Sequence, residues 1–458
     1  MGVIADAKAA APDRSFKFLI AYLVGLSAFG SFVNDMYLPS LPSMMKFFGT
    51  TVSMVQLGLT TGMAGLAAGE MFMGPVSDKY GRKPMLVYSL VAFVIASTVS
   101  IFSPNITFFL VCRFFQGLGA SGGYFLARSI PADIYKGRLL AKTMAIIGAI
   151  NGFAPASAPV FGGIISDHFS WKGVFWVLTG VGIVLLCFAP KFKESLRPEK
   201  RQQGTLWSSF GNYKKLITNK PFMIHIFLKG AALGVVFAYI SAGPFIFETH
   251  FGYSQTVFGL FMGGNALLVA VGSMVALKFR YLKTASFVGA IGLLVFACLE
   301  GAVLWLLPHV FLAFELLLLP MLFCCGMIFT AGNTLAMNEG RDTAGDASAL
   351  LGIVGYIFGA VVSPLLGQGN ILHATAIAIV VISVITLVMA ILSYRLAPDL
   401  ETPQPATPAN PTHITSTLQP TEESTGQPAT ATAAANSTPS AYEPAEGTTP
   451  ASSPNHSS

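Results

Sequence analysis

Twelve apolar runs, each close to the roughly 20 residues that cross a bilayer as a helix, leave this chain few choices. They lie at 17–38, 52–75, 84–103, 106–127, 142–164, 171–190, 221–247, 254–277, 285–307, 309–332, 347–368 and 372–395. No water inside a bilayer bonds a free peptide group, so runs of this length span as helices. Only 10% of the 458 residues are charged and 53% are hydrophobic, whereas an average globular chain is about 25% charged. The fold class expected is an all-α membrane protein, with 12 transmembrane helices in two six-helix bundles. Gly and Pro interrupt many runs, which a bundle tolerates because neighbouring helices re-satisfy the freed backbone groups.

The charges test the count. With both termini and the even connections on one side, 23 of the 27 Lys and Arg fall there. Lys46 and Lys172 fall on the other side, and Arg113 and Lys229 stay inside spans. This is the asymmetry of the positive-inside rule, and it makes the shared side cytoplasmic. The net charge of +6 therefore reflects topology, and a nucleic-acid partner, which needs a basic face on a soluble domain, is not expected. The first run is too long for a cleaved signal peptide and lacks a small-residue cleavage site, so it reads as a retained anchor. The five cysteines all fall in spans and the seven histidines are scattered. Neither a metal nor another cofactor is expected, and no nucleophile–base pair points to an enzyme.

The domain reading follows. Residues 1–16 are a cytoplasmic N-terminus, 17–190 a first bundle, 191–220 a central cytoplasmic loop with eight basic residues, and 221–396 a second bundle. Pro39 and Pro244 are 205 residues apart, and Pro159 and Gly162 recur at the same offset as Pro364 and Gly367. Two halves related by a parallel repeat place a site at the midplane between them. Residues 397–458 form a tail of Pro, Thr, Ser and Ala, without Lys or Arg. It cannot bury a core and is expected to be disordered and cytoplasmic, which leaves the sequons at Asn436 and Asn455 silent.

Four features carry chemistry. Gly74-Pro-Val-Ser-Asp78-Lys-Tyr-Gly81-Arg82-Lys83 joins the second and third spans; its glycines permit a tight turn and its charges offer pairs that form or break as helices slide. In the fifth span, Pro155, Pro159, Gly162 and Gly163 bend the helix and let a neighbour approach. Arg113 in the fourth span needs acceptors or a wet cavity, or else snorkels to an interface. Asp35 ends the first span, where a carboxylate at bilayer depth costs roughly 2.5–3.5 kcal/mol; it is either a functional group or a helix-end carboxylate among headgroups.

The turn after the second span resembles the signature loop of the major facilitator superfamily. With Asn34-Asp-Met-Tyr-Leu-Pro39, Arg113 and the proline-rich fifth span, residues 17 to 395 resemble the Bcr/CflA (MdfA-related) branch of its drug:proton antiporters. Ala158 replaces the usual glycine before Pro159. The resemblance implies gate residues at Gly74, Asp78, Gly81 and Arg82, with Asp133 as a partner, and proton coupling through Asp35 tuned by Arg113. It also implies a monomer in a bacterial inner membrane, with protons, lipid bilayer and a small-molecule substrate as partners. Tyr37, Glu70 and Lys229 are the candidate cavity residues. Some relatives carry a second carboxylate where this chain has Ser27, so neutral or zwitterionic substrates are favoured here. Glu70 supplies that missing charge or braces the gate loop. Lys229 binds a substrate anion, pairs with Asp35 or Glu70, or snorkels, and Glu300 and Glu315 read as structural.

Export of small amphipathic drugs against protons is the first functional expectation. A proton-coupled carrier for one physiological solute, such as a metabolite or siderophore, is the second. A non-transporting membrane sensor or assembly protein acting through its tail is the third.

Overall fold

The computed structural model describes residues 14–196, 201 and 211–396. These belong to one compact unit, residues 1–404, and the expected tail, 397–458, lies outside the described residues. The elements are α1 (Arg14–Asp35), α2 (Leu41–Phe48), α3 (Val52–Tyr80), α4 (Arg82–Ile101), α5 (Ile106–Ile134), α6 (Gly137–Phe188) and α7 (Gly211–Thr218). There follow α8 (Lys220–Pro244), α9 (Gln255–Ala276), α10 (Leu282–Leu306), α11 (Phe311–Glu339), α12 (Ala344–Leu366) and α13 (Ile371–Leu396). No strand occurs among the described residues.

Among the described residues, ten continuous helical stretches are long and apolar enough to cross a membrane. The one that contains α6 is two helices, because Ser170 at φ 58° bends the chain between them. The remaining span is α5, whose apolar character is diluted by Arg113, Gln116 and several glycines. Twelve spans result, in two six-helix halves: α1 and α3–α6, then α8–α13. Side-chain caps start several of them. Thr51, Asn105, Asn219 and Ser254 accept from the backbone N–H three residues on, at the heads of α3, α5, α8 and α9, satisfying donors the helix leaves free.

Glycine sets the closest packing. A Cβ at Gly117 of α5 would lie 2.1 Å from the Gly62 carbonyl of α3, and one at Gly65 would lie 2.0 Å from the Phe114 carbonyl. The second half repeats this: Gly272 of α9 meets the Phe323 carbonyl at 2.0 Å, and Gly326 of α11 meets the Val269 carbonyl at 2.0 Å. The second and fourth spans of each half thus pack backbone against backbone, the small-residue mode of membrane helices.

The halves meet along α3–α12 and α6–α9. At the end away from the α3–α4 turn, Ser53 and Thr60 of α3 donate to the carbonyls of Pro364 and Ala360, at 2.9 and 3.0 Å. Gln56 donates to the Ser241 carbonyl at 3.0 Å, and Asp167 accepts from the Thr256 N–H at 2.9 Å. Towards the turn end the α6–α9 seam parts into a cavity, and Gly148 and Gly152 of α6 have no neighbour within 4 Å of a Cβ position.

Candidate functional site

A cavity of ≈ 380 Å³ lies between the halves, within the size range of small-molecule sites. The first half gives it polar groups: Ser31, Asn34 and Asp35 of α1, Tyr124 of α5 and Asn151 of α6. The second half gives mainly apolar ones, among them Leu233, Phe237, Met262 and Phe329, with Tyr239 and Tyr356. Asp35 is the last residue of α1, and that break in the helix holds its carboxylate on the cavity wall. Ser27, two turns earlier, donates to the Asn151 side chain.

Arg113 is fully buried, so the snorkelling alternative does not hold. Its Nε donates to the Gly58 carbonyl at 3.3 Å and Nη1 to the Val33 carbonyl at 3.2 Å, and Nη1 also donates to the Gln116 side chain. Gln116 passes the chain on to Ser97 at 3.0 Å, which Thr179 also reaches at 3.1 Å. The guanidinium lies 4.2 Å from the Tyr37 ring centroid. The expectation for Tyr37 needs correction: it is absent from the cavity wall. The chain turns beyond Asp35 into a 3₁₀ segment, Leu38–Ser40, which buries Tyr37 beneath Arg113. The charges of Asp35 and Arg113 act on each other, yet no ion pair within 4.0 Å joins them.

Glu70 and Lys229, expected on the same wall, are also absent from its lining and form a second polar layer nearer the turn end. Glu70 of α3 is 4% exposed and accepts from Arg128 of α5 at 3.2 Å. Arg128 also covers the Tyr124 ring at 4.3 Å. Gly352 of α12 leaves room for the carboxylate, since a Cβ there would lie 2.9 Å from Glu70 Oε2. In the second half, Lys229 of α8 donates to Asn333 of α11 at 3.0 Å, and it lies near enough to Glu70 and Arg128 of the first half for their charges to act on it. The charges of Glu70, Arg128 and Lys229 act on one another. Arg128 and Asn333 escape the sequence reading: Arg128 counts there as a loop charge, although its i,i+4 spacing from Tyr124 puts both on one face.

At the α3–α4 turn, Arg82 pairs with Asp78 at 2.7 Å and with Asp133 at 2.9 Å. Glu194, not foreseen, accepts from the Arg82 and Lys83 N–H groups at 3.0 and 3.1 Å. Gly81 makes the turn at φ 102°, where a Cβ would also lie 2.6 Å from Glu194, and Gly74 packs on Phe125. Apart from Glu194, which lies in the connection after α6, these partners belong to the first half. The prolines and glycines of α6 have a shared place. Pro155 lines the cavity, Gly162 meets the Met36 carbonyl, Gly163 meets the Gln255 carbonyl, and Gly259 meets the Pro159 carbonyl.

The chain matches the Major Facilitator Superfamily over residues 23–364. It is 33% identical to the uncharacterised MFS-type transporter YdgK of Bacillus subtilis (strain 168), over 84% of this chain and 96% of that one. It is 27% identical to the multidrug resistance protein MdtL of Klebsiella pneumoniae (strain 342), over 56% of this chain and 62% of that one. Among solved structures, a D-xylose-proton symporter superposes with a TM-score of 0.65 at 15% identity, covering 84% of this chain and 98% of that one.

Proposed function

Since this chain belongs to the Major Facilitator Superfamily of membrane transporters, we propose that it is a proton-coupled carrier of one small physiological solute. The observation that carries this reading is the polar layer of Glu70, Arg128, Lys229 and Asn333. Two cations and one carboxylate, drawn from both halves and held by specific partners, suit a solute that presents an anionic group, as a zwitterion or an organic acid does. Charge-assisted contacts of this kind contribute about 1.5–3 kcal/mol each, enough to select one solute.

In this reading Asp35 carries the proton and Arg113 tunes it. A carboxyl group that alternates between a wet cavity and a dry wall exchanges its proton as its surroundings change. The positive-inside reading makes the α3–α4 turn end cytoplasmic, with both termini on that side of a bacterial inner membrane. The seams that meet at the opposite end then describe a carrier closed to the outside. Alternating access breaks those contacts and closes the Asp78–Arg82–Asp133 end.

Export of amphipathic drugs, the Bcr/CflA-type reading, is the second possibility. It is favoured by the apolar second-half wall and by the names of the multidrug resistance relatives. Proteoliposome uptake of zwitterionic, organic-acid and cationic-drug panels separates the two. Accumulation of one anionic or zwitterionic solute, lost in Lys229→Ala with folded protein retained, supports the solute carrier. Transport of several cationic drugs that is indifferent to Lys229 contradicts it.

A further inference from the structure

The second half holds a pair of acids that the central cavity does not use. Glu300 of α10 is 1% exposed, and neither carboxylate oxygen has a hydrogen-bond partner. It faces a cavity of ≈ 10 Å³ bounded by Tyr239, Leu304, Phe314, Leu318 and Thr375, room for about one water. Glu315 of α11 is 6% exposed and has one unpartnered oxygen. Its charge acts on Glu300. Asn265 of α9 acts on Glu315 and donates to Tyr239 Oη at 3.0 Å. Tyr239 lines this small cavity and the central one alike.

The segment Phe245–His250 adds Ile246 to the small cavity, and the charge neighbours of its Glu248 are Asp167 and Lys46 rather than this pair. α11 brings Glu315, α9 Asn265 and α8 Tyr239. α13 brings Thr375, whose hydroxyl donates to its own helix at the Ile371 carbonyl, 2.6 Å away. The histidines His250, His309 and His373 line a separate cavity. Among the described residues no Lys, Arg or His lies within 4.0 Å of either carboxylate. A carboxylate in an apolar site with no cation beside it, and a second acid charge acting on it, is held more stably as the neutral acid.

We propose that Glu300 and Glu315 form a second proton-carrying site, held in the C-terminal half and linked to the central cavity through Asn265 and Tyr239. The step is protonation alone: one carboxylate takes up a proton to become a carboxyl group, and releases it again. A solute entering the central cavity presses on Tyr239. Through the Tyr239–Asn265 bond that displacement reaches Glu315 and changes how the pair holds its proton. The role in transport rests on the proton-coupled reading above, whereas occupancy by a proton does not.

The test is infrared difference spectroscopy between acid and alkaline buffer, on the full chain in lipid. Glu300→Gln and Glu315→Gln keep the shape of the neutral acid, and an unchanged melting temperature checks their folding. The expected result is a neutral carboxylic-acid carbonyl band that either Gln variant removes or shifts and that Asp35→Asn leaves in place. A band indifferent to both Gln variants overturns the proposal, as does one abolished by sodium chloride but not by choline chloride. Proton-driven transport that survives Asp35→Asn, with the Glu300/Glu315 band intact, counts against Asp35 as the proton carrier and leaves the second site standing.

Discussion

A charge inside an apolar run is conspicuous in a sequence, and the residues found that way have well-defined surroundings. Asp35 stands on the cavity wall and Arg113 is held by two carbonyls and Gln116. What the sequence hides is partnership. Arg128 sits near a span end, so hydropathy counts it with the loops, yet it neutralises Glu70 from the adjacent helix. Tyr37 lies two residues past Asp35, and only the break in α1 turns it away from the cavity. Two predictions belong here. Lys229→Ala removes one charge-assisted contact, worth about 1.5–3 kcal/mol, and should weaken solute binding roughly tenfold to a hundredfold, read by equilibrium binding to purified protein. Arg128→Ala leaves Glu70 buried without its cation, a loss of about 3–5 kcal/mol by analogy with broken buried pairs. It should lower the melting temperature more than Lys229→Ala does.

At the scale of elements, hydropathy reads twelve spans correctly because length and polarity are properties of each run alone. The joints are less legible. Only the positive φ of Ser170 separates the two arms of α6, and nothing in a serine announces it. Small residues at helical spacing are legible in the fifth span, but the α3–α5 and α9–α11 glycine seams escape the sequence, since which backbone faces a glycine depends on the whole bundle. Gly117→Val and Gly326→Val each push a side chain into a carbonyl about 2 Å from the Cβ position, and overpacking of this kind costs about 1–3 kcal/mol. Each should lower the melting temperature in detergent, and an unchanged value for both would remove these seams from the account of stability.

Across the whole molecule, contacts between the halves gather at the end away from the α3–α4 turn, while charged groups from both halves converge nearer that turn. Such an arrangement carries solute only if the outer seams open. Gly163→Val places a side chain against the Gln255 carbonyl, 2.3 Å from its Cβ position, and should favour the outward-open form. Cysteine labels introduced near Thr256 would then react faster from outside than in the parent protein. All twelve spans and the candidate site lie within residues 14–396, so deletion of residues 399–458 should leave transport intact; loss of transport with normal membrane insertion would favour the tail-driven alternative. The central claim is that a solute and a proton share one cycle through Asp35. Its most direct test is solute-triggered proton movement in proteoliposomes holding a preset pH gradient, comparing the parent protein with Asp35→Asn across zwitterionic, organic-acid and cationic compounds. The account predicts that a compound with an anionic group dissipates the gradient with the parent protein and not with Asp35→Asn. A gradient that no compound disturbs while the parent protein is folded, or one dissipated equally by the variant, would contradict it.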